Sequence, residues 1–524
     1  RMQIFHRGIE QAIFVQGQAD ATLNNGDYLE FYGQRNDGTR DANLYQPSSL
    51  QPHRYYSIYT DTSSYFLTWN FITQGKRMAS FSEVNVSNIP KETFHNEEKL
   101  NVFTDQYSGG FTQSDVLQYT QFDQGEGWTG VALRQGQKAE YVLDLLTNTV
   151  QGTELPQLEV LLVGRDNIPH SANISVGPNS GSLRLVGTVD FFGYESPHVS
   201  IALNWTDIGT DDKMVVRVEA VGSGTNRYQL SASYVKVSFP QSFDITAATE
   251  KVVHLKPNPS NVSYIELENP LTGLRVWDIT DTNNLIMIGT QPSATSIHAV
   301  VDGTQDARTL YVSNTTITPA IKAVSFRQIN PPNHNYLIIT HPSLMKPAGS
   351  YNDVVKAYAA YRASSEGGEY DTLVVTVDQL YNQFNYGETS SLAIYEFVKF
   401  MVNGGAPRYM FLIGKGRDVY SHRSSELSST QLKDLVPAAG VPGSDMAFSA
   451  GLNGTTYEPA IPTGRLTATK PEQVAAYLNK VKETEIGFDA PGDNVWRKEG
   501  LHLSGGIQPF ELTNFKDIVD GFKA

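Results

Sequence analysis

The chain has 524 residues, too many for one hydrophobic core, and at ~150 residues per domain it predicts roughly three domains. Apolar residues at 40% and charged residues at 18% describe an ordinary globular protein, and no run reaches the ~18 consecutive apolar residues of a membrane-spanning helix. Forty Lys and Arg against 55 Asp and Glu leave a net charge of −15, which argues against nucleic acid and anionic membrane surfaces as partners, while the absence of cysteine excludes disulfides, Cys-ligated zinc, iron–sulfur clusters and a cysteine nucleophile within these residues.

Residue 1 is Arg, and "QIF" follows Met2 with no basic-then-apolar leader, so either a signal peptide has been removed or the chain starts inside a longer one. Residues 1–240 are β-rich. Short apolar or alternating runs such as "DYLEFYG", "YFLTWNF", "LEVLLVG" and "SASYVKVSFP" are punctuated by turns at Asn24–Asp27, Asn36–Thr39 and Gly177–Ser182. One or two sandwich-like units are expected there. Ser87–Asp115 is polar and reads as a surface excursion, with Glu97, Glu98 and Lys99 on a short helix. Residues 241–330 form a second β-rich domain with strands at "YIELEN", "GLRVWDIT", "LIMIG" and "RTLYVSN". "NPPNHN" (Asn330–Asn335) is a linker, because two prolines oppose both helix and ladder.

Residues 331–524 switch period. "YLIIT" (Tyr336–Thr340), "TLVVTV" (Thr372–Val377) and "RYMFLIG" (Arg408–Gly414) are apolar strands, separated by amphipathic helices at Ser350–Ser365 and Ser390–Asn403. Strands apolar throughout and alternating with helices predict a parallel sheet covered on both faces, with its crevice at the carboxyl ends of the strands. A helix at Lys470–Phe488 follows, with Pro471 in its first turn, and "GLHLSGG" (Gly500–Gly506) gives a fourth strand. "FKDIVDGFKA" then stops on a helix, an awkward end for an α/β domain, so this domain is expected to be truncated.

Candidate residues cluster after the strands. "LIGKGRD" places Gly414 and Asp418 behind the third strand, but lacks the spacing and Lys-Ser/Thr of a phosphate loop. "GVPGSD" puts Ser444 and Asp445 after a glycine-rich turn, where the Asp is either a cleft acid or cation ligand or a turn cap. Gly505 follows the fourth strand and allows close backbone approach. His341 and His422 each follow a strand, and Arg465 in "PTGR" sits after a tight turn, positioned to bind a carboxylate or pair with a neighbouring acid. No Gly-x-Ser-x-Gly elbow supports a serine hydrolase, and no His-x-x-x-His supports a metal site.

The phrases "YLIITHP", "LYNQFNYG" (Leu380–Gly387), "APRYMFLIGKGRD", "VPGSD", "IPTGRL" and "W…GLHLSGG" resemble, in order and spacing, the catalytic domain of the gingipain-type (C25) cysteine peptidases. The upstream "GDYLEFYGQRNDG", "SYVKVSFP" and "GLRVWDITDTNNLIMIG" are similar to the β-rich leader of the sortases of the type IX secretion system in Bacteroidota. The resemblance implies a caspase-like fold and a Cys–His dyad. It implies cleavage before a C-terminal sorting signal and transfer of the cargo to anionic lipopolysaccharide. It also implies a place on the cell surface, docked to a PorV-like outer-membrane β-barrel partner. Neither the Gly-His-Gly nor the Cys motif of the family occurs here, so both catalytic residues are expected beyond residue 524. The family's Gly-Asp after the third strand is Gly414-Lys415-Gly416, a departure, and no acid stands near Gly505–Ile507 to carry over as a third catalytic member. Gly414, Asp418, Ser444, Asp445 and Gly505 are left as a possible cleft wall. Some gingipain-like domains bind calcium, for which Asp418 and Asp445 are the candidate carboxylates. Two other readings compete: a non-catalytic docking component of the same fold, and a secreted β-sandwich adhesin.

Overall fold

The computed structural model describes residues 1–524 except 21, 23, 114–116, 119–120, 153, 223–227, 422–433, 487–503 and 523–524. The chain opens with β1 (Met2–His6) and β2 (Ile9–Gln11), joined by Arg7 and Gly8 with φ of 47° and 81°. Two successive positive φ values are the mark of the tight hairpin turn that matches strand twist. With β3 (Tyr65–Trp69) they make an antiparallel sheet of order β2-β1-β3.

The centre of the β-rich half is built from β4 (Ala79–Phe81), β5 (His95–Val102), β6 (Lys138–Leu143), β7 (Gln157–Gly164), β8 (Pro169–Gly177), β9 (Arg184–Phe192), β10 (His198–Ala202), β11 (Met214–Ala220) and β12 (Leu230–Gln241). It continues through β13 (Glu250–Leu255), β14 (Arg275–Asp278), β15 (Ile286–Ile288) and β16 (Arg308–Ser313). One nine-stranded sheet has the order β10-β7-β12-β5-β13-β16-β14-β15-β4 and runs without a break across residues 240 and 241. A four-stranded sheet, β6-β11-β8-β9, faces its first part. Alternate residues of the facing strands interdigitate between the two layers: Leu158, Val160, Leu162, Val235 and Val237 with Ile174, Val216 and Val218. A second core, with Val253, Leu255, Ile265, Leu267, Val276, Leu310 and Val312, lies under the other part.

The polar stretch read as a surface excursion contains β5, which lies inside the nine-stranded sheet; Glu97, Glu98 and Lys99 are on that strand and not on a helix. Its charges are neutralised across the sheet. Glu98 meets Lys236 of β12 at 3.4 Å, and Glu97 meets Lys251 of β13 at 3.2 Å. Cross-strand ion pairs supplied by partners more than a hundred residues away outweigh the poor local strand propensity.

The α/β domain contains β17 (Tyr336–Thr340), β18 (Thr372–Thr376), β19 (Tyr409–Ile413) and β20 (Thr463–Leu466), all parallel, in the order β18-β17-β19-β20. Helices α2 (Val377–Phe384) and α3 (Leu392–Gly404) cover one face through Leu380, Ile394, Phe397, Val398 and Met401. Helices α1 (Val354–Ala363) and α4 (Pro471–Ile486) cover the other through Val355, Tyr358, Val474 and Leu478. Residues 337, 339, 410 and 412 point to the first face and 336, 338, 411 and 413 to the second, so neither can be polar. Helix starts are capped: Asp353 accepts the N–H groups of Val355 and Lys356, and Thr376 with Gln379 forms a capping box. The fourth strand of the sheet is β20, in the segment read as a turn. The run Gly500–Gly506 falls largely outside the described residues. A further helix, α5 (Pro509–Gly521), buries none of its residues. No described helix is long and apolar enough to cross a membrane.

Candidate functional site: the wall at the carboxyl ends of the parallel strands

The strand ends are locked to one another before any loop is added. Thr340 Oγ1 donates to the Ile413 carbonyl at 2.9 Å, the Gly414 N–H donates to Leu466 at 2.9 Å and the Lys415 N–H to Ala468 at 2.9 Å. Beyond Ile413 the chain leaves as Gly414–Ser421 and returns as a loop from Asp434 to Ala450. A Cβ on Gly414 would lie 2.7 Å from Val436 Cγ2, so the returning loop passes where only glycine permits it.

Arg465, on β20, holds this loop. Its Nε and Nη2 donate to the two oxygens of Asp445 at 2.7 and 2.6 Å. Its Nη1 donates to the carbonyls of Gly414 at 2.8 Å and Val436 at 2.6 Å, and Nη2 also reaches Pro437 at 3.1 Å. Five donors meet five contacts, the full capacity of a guanidinium. Arg465 and Asp445 are therefore a staple across the strand end, and Asp445 gives both its oxygens to Arg465. Ser444 lies beside them: its N–H donates to Ala439 at 2.7 Å and its Oγ accepts the Met446 N–H at 3.3 Å.

Asp418 is exposed on the outgoing limb, with Gly443 of the returning limb packed close to its Cβ. Asp434, which the sequence reading did not single out, accepts the Arg417 N–H at 2.9 Å. Burial raises its carboxyl to about 6, against the opposing pull of the Arg417 N–H and of the Arg417 and Arg465 guanidinium groups. His341, directly after β17, caps the turn that follows: its Nδ1 accepts the Ser343 N–H at 3.1 Å and lies 2.8 Å from Ser343 Oγ. Burial lowers its pKa. His422 lies outside the described residues. Gly505 is exposed, and a Cβ added to it would have nothing within 4 Å, so it stands apart from the wall that Gly414, Asp418, Ser444 and Asp445 share. No group of three or more His, Asp or Glu side chains able to hold a metal ion occurs among the described residues.

The outer side of the wall is covered by the β-rich half. Tyr45, Tyr56, Ile58, Tyr59, Tyr107, Phe122 and Trp128 form one buried cluster with Val419 and Val441 of the two limbs. Tyr59 OH lies 2.7 Å from Ser391 Oγ at the start of α3, and the Tyr107 and Tyr420 rings meet at 5.2 Å. Beneath this cluster lie two buried carboxyls. Burial pushes Asp41 up to about 7, although it accepts the Ile58 N–H at 2.6 Å and the Ser57 hydroxyl at 3.2 Å. Glu126 accepts the Tyr107 hydroxyl at 2.6 Å, and burial holds it well above the usual carboxylate range.

The phrase Leu380–Gly387 and the residues just after it form the second contact. Arg7, at the tip of the β1–β2 hairpin, donates to Glu388 at 2.8 Å, Asp37 at 2.8 Å and Asn36 at 2.9 Å. Arg40 donates to Asn385 at 2.9 Å and lies over the Tyr386 ring, and Ser64 Oγ donates to the Gly387 carbonyl at 2.9 Å. No local pattern marks these partners, because Arg7 and Glu388 are 381 residues apart.

Residues 329–523 match the family model described as Peptidase family C25. Among curated proteins none matches the sequence. Among solved structures, dimeric latent PorU from Porphyromonas gingivalis matches with a TM-score of 0.58 and 14% identity, over 91% of this chain and 46% of that one. The chain thus spans about half the length of the PorU chain it matches. The CBM36-1 domain of a multidomain xylanase from the hindgut metagenome of Trinervitermes trinervoides matches over 27% of this chain and 96% of its own, with 12% identity and a TM-score of 0.17. A xylan-binding module matches over 30% of this chain and 95% of its own, with 11% identity and a TM-score of 0.18. The last two likenesses each cover less than a third of this chain and are too distant to bear on function.

Proposed function

With residues 329–523 a domain of peptidase family C25, in a chain folded like PorU over 91% of its length, we propose that the protein is a cell-surface cysteine peptidase and transpeptidase, a sortase of the type IX secretion system. The observation that carries this reading is that the family match falls on the parallel sheet whose carboxyl-end loops are stapled into a wall by Arg465 and Asp445. The 524 residues contain no cysteine, so under this reading the nucleophile lies in sequence outside them.

The proposed chemistry is acyl transfer. A thiolate adds to the carbonyl before the sorting signal, the C–N bond breaks, and a neighbouring imidazolium protonates the departing amine. An amine on anionic lipopolysaccharide then attacks the thioester and releases the thiol. The β-rich half would supply the docking surface for an outer-membrane β-barrel and for cargo. The test is twofold. Cells lacking the protein should accumulate cargo that retains its C-terminal domain, read by mass spectrometry. The purified complete protein should release that domain in a reaction blocked by iodoacetamide. Cargo processed normally without the protein overturns the reading.

The absence of cysteine fits equally a second reading, a non-catalytic docking component of the same fold. Under it, cells lacking the protein still accumulate unprocessed cargo, but the purified protein releases nothing.

A further inference from the structure

The loop that follows β3 reverses the usual chemistry of a turn. Surface loops expose polar side chains and satisfy their backbone with water. Here Trp69, Phe71 and Ile72 are 64%, 87% and 83% exposed, and Leu67 on the same strand is 50% exposed. The backbone is nevertheless well ordered by its own contacts. Asn70 Oδ1 accepts the N–H groups of Ile72 at 2.8 Å and Thr73 at 3.2 Å. The Asn70 N–H donates to the Arg1 carbonyl at 2.9 Å, and the Arg1 guanidinium donates to the Ile72 carbonyl. A built turn thus presents three large apolar side chains that the fold itself does not use. Singly exposed apolar residues need no explanation, but a contiguous group at a tip marks a docking surface.

The charges around the tip indicate what docks there. Arg1 bonds the tip directly, and Lys76 and Arg77 follow it in the chain. Lys76 Nζ donates to Asn284 Oδ1, and Arg77 donates to Gln18 Oε1 and to the carbonyls of Met2, Gly75 and Lys76. The hydrogen-bond acceptors of all three cations are amide or carbonyl oxygens, which leaves their positive charge uncompensated by any carboxylate they touch. Glu10 and Asp281 act on Arg77 and Lys76 through space without touching their cationic groups, and Glu10 is engaged with the Lys76 N–H and the Gln3 amide. Three cations thus stand against the two acids coupled to them in a chain whose net charge is −15, and beyond ~8 Å the distant acids are screened at physiological salt. Phe and Ile at an apex, Trp beside them and cations behind is the order of chemistries met on entering a bilayer from water, read in reverse. The geometry gives the tip room. Ser64, just before β3, touches Gly387 of the α/β domain, and the strand carries the tip roughly 17 Å away from that contact.

We propose that residues 69–72 form an interfacial anchor for a phospholipid surface. Phe71 and Ile72 enter the acyl boundary, Trp69 lies at headgroup depth, and Arg1, Lys76 and Arg77 meet headgroup phosphates. The proposal is independent of the peptidase reading, because lipid binding is measured without any activity. The test is sedimentation with mixed phosphatidylcholine–phosphatidylglycerol vesicles. The unaltered protein should co-sediment, and the combined Trp69→Ser, Phe71→Ser and Ile72→Ser variant should bind at least ~tenfold more weakly, since each lost side chain carries a substantial share of the apolar transfer energy. Val84→Ser, which removes another apolar side chain, 67% exposed, should bind as the unaltered protein does. Brominated lipid should quench the fluorescence of Trp69, and Trp69→Phe should remove that quenching while preserving binding. Failure of the unaltered protein to sediment overturns the proposal, as does equal sedimentation of the triple variant. Conversion of a dimer into a monomer by the triple substitution, with sedimentation unchanged, would show the tip to be a contact between copies and would also overturn it.

Discussion

At its first residue β3 lies against the α/β domain; at its last it ends in solvent. Tyr65 stacks on His6 at 4.4 Å, and its neighbour Ser64 hydrogen-bonds Gly387 within the network that Arg7, Asp37 and Glu388 complete. Trp69, four residues later, leaves 64% of its surface in water. The first end is a polar, half-buried contact around the buried Glu388, the second apolar and exposed, each the inverse of the usual arrangement. Buried polar groups hold one geometry because any other leaves them unpaired, whereas an exposed apolar tip is indifferent to the fold and gains only from a partner. The polar contact therefore fixes how the two halves sit, and the apolar tip remains available.

The largest expected effect tests the polar end. Glu388 has a side-chain exposure of 2%, and Arg7 is the cation that pairs with it. Arg7→Ala leaves that carboxylate buried without its counter-ion and should destabilise the protein by about 3–5 kcal/mol in urea unfolding. Adding Glu388→Gln should recover much of the loss; a single variant within ~0.5 kcal/mol of the parent would show that the pair does not hold the halves. Next is the Arg465 staple. Arg465→Lys keeps the charge but loses the fork and most of the five contacts, so the loop Leu435–Asp445 should loosen by about 2 kcal/mol. Amide exchange there should rise roughly 30-fold, and unchanged protection at Leu435, Val436 and Ser444 would refute the assignment.

The third prediction concerns pH. Asp41 has a folded pKa of about 7, raised above its ordinary value of 3.8, so the fold takes up a proton that the unfolded chain releases. Its contribution to stability is present in full below the ordinary value and is lost as pH rises through about 7. Asp434, raised to about 6, acts in the same direction over an overlapping range. Asp41→Asn keeps a neutral group of the same shape. Its stability relative to the parent should therefore climb between pH 4 and pH 7, by at most about 1.4 kcal/mol per unit, and level off above. A difference that does not vary with pH would show that Asp41 is ionised in the fold. The smallest effect belongs to the apolar tip: the triple serine variant at Trp69, Phe71 and Ile72 should unfold within ~0.5 kcal/mol of the parent, and a larger loss would mean the tip is part of the fold.

The sequence showed most clearly what repeats locally. "YLIIT", "TLVVT" and "YMFLI" are strands in the structure because both of their faces are covered, and the helix predicted from Pro471 begins there. It misled where partners are remote. "TGRL" carries turn residues, yet pairs in parallel with Met410–Ile413 as an edge strand, where a short run suffices. "HNEEKLNV" is charged, yet lies mid-sheet because Lys236 and Lys251 arrive from later strands. Of the cleft-wall residues, Gly414, Ser444 and Asp445 come together through Arg465, which had been left open between binding a carboxylate and pairing with an acid. Asp434 and Asp41 were missed because their distinction is burial, and burial has no local signature.

The nine-stranded sheet has a consequence for the order in which the chain can fold. Its members β4 and β5 are made early, but β4 pairs with residues 286–288 and β5 with residues 234–241 and 254, and the strand beside β13 and β14 ends only at Ser313. The long stretch of chain between them leaves these early edges waiting for their neighbours. Pairings that close such long loops form slowly, and strand edges left open meanwhile are exposed to pairing with other chains. The consecutive charges of Glu97, Glu98 and Lys99 on β5 keep that waiting edge charged until the later strands arrive to neutralise it.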